Sequence, residues 1–305
     1  MLYLDGKGIP HAADAVRAAR TAGMHVAFVT NNASRRPTEV AERLNSLEIP
    51  AEPAQVVTSA QAAVRVVAAG VPGGSVVLVL GTQALVDEVT EADLRPVRTV
   101  AEAGADPVAA VVQGLSPDTC QSDLAEAAVA LRTGALWVVG NTDITLPSPR
   151  GPLPGNGAFV EALRLVTGLV PLVAGKPDPA LHAESVARVG SANPLVVGDR
   201  LDTDVLGAVR GGADSLLVLT GVVGREELLR APLGSRPTYV CADLRGLLES
   251  HPRVLVEEGV ARCRDSTATY DAGRILVEGG SDDDGLRAEA ALAWACADAG
   301  LTLRS

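Results

Sequence analysis

The sequence predicts an α/β protein: a doubly wound, Rossmann-like parallel sheet as the core, an α/β domain inserted into it, and a small α+β extension at the C-terminus. Three observations predict this. Short Val/Leu runs carry no polar interruption, as in strands covered on both faces. Ala-rich stretches with apolar residues at helical spacing lie between most of those runs. The hydrophobic fraction is 47% but aromatics are only 2% of 305 residues, so the interior is built from Ala, Val and Leu.

In chain order, "HAADAVRAARTAG" (11–23) places Ala12, Ala15, Val16 and Ala19 on one helical face, with Gly23 as the expected stop. "HVAFVT" (25–30) reads as a buried strand, followed by "QVVTS" (55–59), "SVVLVLG" (75–81) and "AAVVQGL" (109–115). "SDLAEAAVALRTG" (122–134) is helical, and "ALWVVGN" (135–141), "PLVAG" (171–175), "PLVVGD" (194–199) and "SLLVLTG" (215–221) are further strands. From residue 253 onward the chain reads as β-hairpin material with a polar turn around 281–285, then a last Ala-rich helix, "GLRAEAALAWACADAG". The expected boundaries are 1–79 and 171–245 for the core, 80–170 for the inserted domain and 246–305 for the extension.

Charge and special residues exclude several classes. The net charge is −11 with no basic block, against a nucleic-acid partner. No apolar run reaches the roughly 18 residues of a membrane span, and no signal peptide is visible, so a cytoplasmic protein is expected. Cysteines at 120, 241, 263 and 296 and histidines at 11, 25, 182 and 251 have no metal-ligand spacing. Assembly into a homo-oligomer is left open.

Three strand ends carry chemistry. "VVGDRLDTD" (196–204) delivers Asp199 and then Asp202 and Asp204 beyond the carboxyl end of a buried strand, where ligands of open α/β sheets bind. Carboxylates there suit a hard cation such as Mg²⁺; the other reading is that Asp202 caps a helix starting near Thr203. "FVTNNAS" (28–34) ends a strand in Thr30, Asn31 and Asn32, whose polar groups suit a phosphate, or form an Asn-rich turn with Ser34 as a cap. "VAGKPDP" (173–179) places Lys176 between a strand and two prolines that restrict its backbone. Hydroxyl, cation and carboxylate at three strand ends are what phosphoryl transfer requires.

In this order, "VTNN", "AGKPDP" and "VVGDRLDTD" resemble motifs two, three and four of the haloacid dehalogenase superfamily. "GNTDITLPSPRGPLPGNGAFVEAL" (140–163) is similar to the class IIA cap signature of NagD-like phosphatases, and the likeness, strongest to the actinobacterial glycerol-3-phosphate phosphatase branch, covers most of residues 1–250. That branch carries an acetyltransferase-like extension, which the tail resembles. The resemblance implies a Mg²⁺-dependent phosphatase working through an aspartyl-phosphate on a small phosphomonoester such as glycerol 3-phosphate. It implies that Thr30 and Asn31 contact the transferring group and Lys176 neutralises it. Asp199 would ligate Mg²⁺ with support from Asp204, and Asn32 would assist at the substrate. In the loop "NTDITLPSPRG" (141–151), Asp143 and Thr145 are candidates for a polyol, unless Asn141 and Asp143 only stabilise the loop.

The opening "MLYLDGKGIPHA" contains Asp5-Gly6 but no Asp-x-Asp. Registered on Ile9-Pro10, Tyr3 takes the aromatic position that follows the family's catalytic pair, and Asp5 is a turn residue. The expectation is that the nucleophile and acid/base aspartates lie upstream of Met1 and that the chain as written is inactive. A non-catalytic phosphate-ligand binder or regulatory protein that keeps the fold is the alternative.

Overall fold

The computed structural model describes residues 2–4, 6–146 and 150–303; Asp5 and the loop residues 147–149 lie outside them. The chain divides into two compact units, residues 1–25, 47–50 and 191–305, and residues 26–46 and 51–190.

The first unit begins with a hairpin, β1 (Tyr3–Leu4) and β2 (Lys7–Gly8), paired antiparallel with Tyr3 opposite Gly8. Helix α1 (Ala12–Thr21) buries Ala12, Ala15, Val16 and Ala19. The chain turns after it at Gly23, whose φ of 87° a side chain rarely adopts.

The second unit opens with β3 (Phe28–Thr30), α2 (Pro37–Asn45), β4 (Val56–Thr58) and α3 (Ser59–Gly70). Strands β3 and β4 are parallel, with Thr30 opposite Thr58. Helix α2 starts at Pro37 after Arg36, so Ser34 is not its cap; the Ser34 amide and hydroxyl instead donate to Asn32 Oδ1. There follow β5 (Val76–Leu80), α4 (Gln83–Glu91), β6 (Arg95–Val97), β7 (Val108–Gln113), α5 (Gln121–Arg132) and β8 (Leu136–Val139). A short pair, β9 (Thr145–Leu146) and β10 (Leu153–Pro154), leads to α6 (Asn156–Thr167), β11 (Leu172–Val173) and α7 (Pro179–Val189). Five strands form one all-parallel sheet in the order β11-β8-β7-β5-β6. Alternation along β5 explains its uninterrupted apolar run. Val77 and Val79 join a cluster with Val64, Val67, Leu85 and Val89 of α3 and α4. Val76, Leu78 and Leu80 face the opposite cluster with Ala127, Leu131, Val160 and Leu163 of α5 and α6. Both faces are covered, so neither tolerates a polar position. This sheet extends from Val76 to Val173.

The first unit resumes with β12 (Leu195–Gly198), α8 (Leu206–Gly211), β13 (Asp214–Val218), α9 (Arg225–Leu229) and β14 (Tyr239–Cys241). Its three strands are parallel in the order β12-β13-β14. An antiparallel meander follows: β15 (Leu255–Glu257), β16 (Val260–Cys263), β17 (Ser266–Asp271) and β18 (Arg274–Glu278). The last helix, α10 (Asp282–Asp298), buries Ala288, Leu292 and Cys296 against Ala261, Cys263 and Ala268 of the meander. Its other side, with Leu286 and Ala290, packs on Leu217, Leu228 and Val240. The polar run 281–285 is therefore not a hairpin turn. Ser281 caps the helix by accepting the Asp284 amide at 3.2 Å, and Asp282, Asp283 and Asp284 occupy its first turn, where the helix dipole favours negative charge.

Candidate active site

In the second unit, the polar residues at the end of β3 form a braced loop. Thr30 Oγ1 accepts the Asn32 amide at 3.2 Å. Asn32 Oδ1 accepts the Ser34 amide at 2.7 Å, the Ser34 hydroxyl at 2.9 Å and the Arg35 amide at 3.1 Å. This is an Asx turn, a local alternative to regular structure. Asn31 commits its side chain elsewhere: Oδ1 accepts the Lys176 amide at 2.7 Å and Nδ2 donates to the Lys176 carbonyl at 3.1 Å. An amide has the same donor–acceptor fork as a peptide, so Asn31 pairs with Lys176 as a neighbouring strand would. Its own carbonyl accepts the Ser59 hydroxyl at 2.7 Å and Asn141 Nδ2 at 2.8 Å.

Lys176 follows a segment pressed against the end of β8. The Ala174 amide donates to the Val139 carbonyl at 2.9 Å, and a Cβ on Gly175 would lie 2.1 Å from the Gly140 oxygen. Only glycine permits that approach. The proline-restricted departure expected for the lysine is therefore reinforced by backbone contact on its other side.

The loop after β8 is held by α6. Gly155 and Gly157 amides donate to the carbonyls of Ile144 and Asp143 at 2.8 and 2.9 Å. A Cβ on Gly157 would come 2.2 Å from the Thr142 oxygen. Asp143 is half-buried, and Thr145 is exposed on β9.

In the first unit, Asp199 follows the last residue of β12. Its Oδ2 accepts the Val222 amide at 3.0 Å and its carbonyl accepts the Val223 amide at 3.1 Å. Asp204 is buried, and its Oδ2 accepts the amides of Asp199 and Arg200, both at 3.2 Å. The intervening residues make a wide helical turn in which the Val205 amide reaches the Arg200 carbonyl at 3.1 Å. Asp202 sits inside this turn, whose cap position is Arg200. It pairs with the Arg200 guanidinium at 2.9 and 2.7 Å, which holds its carboxyl below the usual range. Among the described residues no group of three or more His, Cys, Asp or Glu is arranged to hold a metal ion.

Comparison with known proteins decides the family. A haloacid dehalogenase-like hydrolase profile matches residues 1–95, and a second, HAD-hydrolase-like, matches 173–247. The acid sugar phosphatase of Staphylococcus aureus is 34% identical over 244 residues, covering 79% of this chain and 85% of that protein. The chain belongs to the haloacid dehalogenase-like hydrolases.

Within this family, the D-glycerol 3-phosphate phosphatase of Mycobacterium tuberculosis is 54% identical over 220 residues, or 72% of this chain and 61% of that protein. That alignment spans less than two thirds of the relative. A crystal structure of glycerol phosphate phosphatase from the same organism, in complex with magnesium, superposes with a TM-score of 0.86 at 43% identity, covering 99% of this chain and 89% of that one. The p-nitrophenyl phosphatase of Archaeoglobus fulgidus gives a TM-score of 0.72 at 29% identity, over 80% and 92% of the two chains. These matches support the class IIA, NagD-like reading of the motifs.

Several residues that shape the surroundings of these loops were not singled out from sequence. Ser59 and Gly175 lie against Asn31, Gly140 lies against Gly175, and Asn156 holds the Asn141 carbonyl. The available signal was the run "GNG" (155–157) before an apolar helix, and an Asn at a position that turns out to be buried.

Proposed function

We propose that this hydrolase cleaves small phosphomonoesters, with glycerol 3-phosphate as substrate, through an aspartyl-phosphate. The reaction class is carried by the clamp of Asn31 on Lys176, which joins two motif loops far apart in sequence; the likeness to the M. tuberculosis enzyme supports the substrate. On this reading the Thr30 hydroxyl donates to a phosphoryl oxygen, and the Lys176 ammonium neutralises charge on the nucleophile and the phosphate. Asn31 sets where the ammonium starts from, and Asn32 stiffens the loop. Asp143 and Thr145 hydrogen-bond the hydroxyls of the leaving polyol.

Asp199 and Asp204 fit Mg²⁺ in donor type, since both are hard carboxylates beyond the end of β12. Each has one oxygen turned to backbone amides, which fixes its orientation. When bound, the ion supplies Lewis-acid stabilisation of phosphoryl charge. Asp204 acts by holding the Asp199 and Arg200 amides.

The test is phosphate release from glycerol 3-phosphate, with other small phosphoesters in parallel, by the purified protein. Release that is lost in Lys176→Ala supports the reading. Absence of turnover with every ester, despite saturable binding of one of them, overturns it.

A further inference from the structure

We propose that Asn141 is a positioning residue that couples the phosphoryl-holding loop to the substrate loop, so that this enzyme favours a polyol phosphate over an ester without hydroxyls. This rests on the phosphatase reading above.

Asn141 is 6% exposed and lies two residues beyond the end of β8. Its Nδ2 donates to the Asn31 carbonyl at 2.8 Å, on the phosphoryl side. Its Oδ1 accepts the Asp143 amide at 3.2 Å, on the substrate side. Its carbonyl accepts Asn156 Nδ2 at 2.6 Å. Because Asn31 in turn grips the Lys176 backbone at 2.7 and 3.1 Å, a continuous line of hydrogen bonds runs from Lys176 to Asp143. The line is anchored in the sheet: Gln113 Nε2 donates to Asn156 Oδ1 at 3.4 Å, and Trp137 Nε1 donates to Gln113 Oε1 at 3.2 Å.

The chemistry selects asparagine. The position needs a donor toward a carbonyl and an acceptor toward an amide in one rigid plane. Aspartate keeps the acceptor but turns a carboxylate toward the Asn31 carbonyl. The Ser59 hydroxyl also donates to that carbonyl, at 2.7 Å, so the β3 loop keeps one anchor when Asn141 is replaced. What is lost is the link between the two loops. A phosphoryl group seated by Lys176 then no longer fixes Asp143 at the leaving group.

The test compares the kcat and KM of wild type, Asn141→Ala and Asn141→Asp on glycerol 3-phosphate and on p-nitrophenyl phosphate, with amide hydrogen exchange read at Lys176 and Asp143. Asn141→Ala is expected to lose about tenfold more kcat/KM on glycerol 3-phosphate than on the nitrophenyl ester, with faster exchange at both amides. Asn141→Asp is expected to speed exchange at Lys176 and leave Asp143 protected. Equal losses on both esters, as a merely structural role gives, overturn the proposal, as does unchanged exchange at both amides. If wild type hydrolyses neither ester, the phosphatase reading fails, and the exchange pattern alone then decides whether Asn141 couples the loops.

Discussion

Asn31 shows how far one side chain can organise a site. It lies 145 residues from Lys176 in sequence, yet both ends of its amide meet that backbone. Replacing it by Ala leaves a half-buried N–H and C=O without their partners, at about 1–3 kcal/mol. Asn31→Ala is expected to lower kcat/KM about tenfold to a hundredfold while circular dichroism stays native. A variant with wild-type kinetics would show that Lys176 keeps its place unaided. From sequence, Asn31 reads as a phosphate contact, because a polar residue at a strand end is legible whereas its partner is not. A second residue makes pH a probe of the fold. Burial, aided by the neighbouring Glu91, pushes the Glu88 carboxyl from its ordinary 4.5 up to about 7. Between those values the folded chain holds a proton that the unfolded chain has released, so this residue's contribution falls as pH rises through the window and is level above it. Glu88→Gln is expected to flatten that slope and to stabilise the protein at pH 8 by about 1–2 kcal/mol, allowing for partial exposure. Denaturant melts at pH 5 and pH 8 measure it; identical slopes for variant and wild type would contradict it.

At the scale of elements, strands were legible wherever they are covered on both faces. The runs at 75–81 and 109–115 contain β5 and β7 almost whole, because continuous burial leaves a continuous apolar signature. "PLVAG" yields only the two-residue β11, since Gly175 leaves the ladder to pack on Gly140. The run at 281–285 was misread for a different reason. Serine and aspartate serve turns and helix starts alike, and the packing of α10 on the meander decides between them. The loop after β8 is tied to α6 by the Asn156 side chain and by close backbone approach at Gly157. Gly157→Ala forces a Cβ against the Thr142 oxygen and is expected to cost about 1–3 kcal/mol, seen as a lower thermal midpoint. Gly168→Ala, at a helix end with a φ of 74° and nothing within 4 Å of a Cβ, is the control for backbone strain without a clash. If both variants melt alike, the close approach at Gly157 is not the cause.

For the whole molecule, the prediction concerns the ion. Chelation of Mg²⁺ is expected to abolish phosphate release and to leave the fold intact. The described residues draw their cores from packed Ala, Val and Leu and hold no three-residue metal cluster. Asp199→Asn is expected to raise the Mg²⁺ concentration needed for half-maximal activity at least about tenfold, since one charged oxygen donor becomes neutral. Activity unaffected by chelator would refute this. No described helix is long and apolar enough to cross a membrane. The sequence by itself determined the alternation of buried strands and helices, the three strand-end motifs and, through them, the family. Those features are local, and a strand buried on both faces writes its environment into its own residues. Only the tertiary structure decided that Asn31 grips Lys176, that Gly175 must meet Gly140, and that α10 is buried on two sides. Each is a contact between distant segments, set by which backbones come close enough to exchange hydrogen bonds or exclude a side chain, and no local periodicity encodes that.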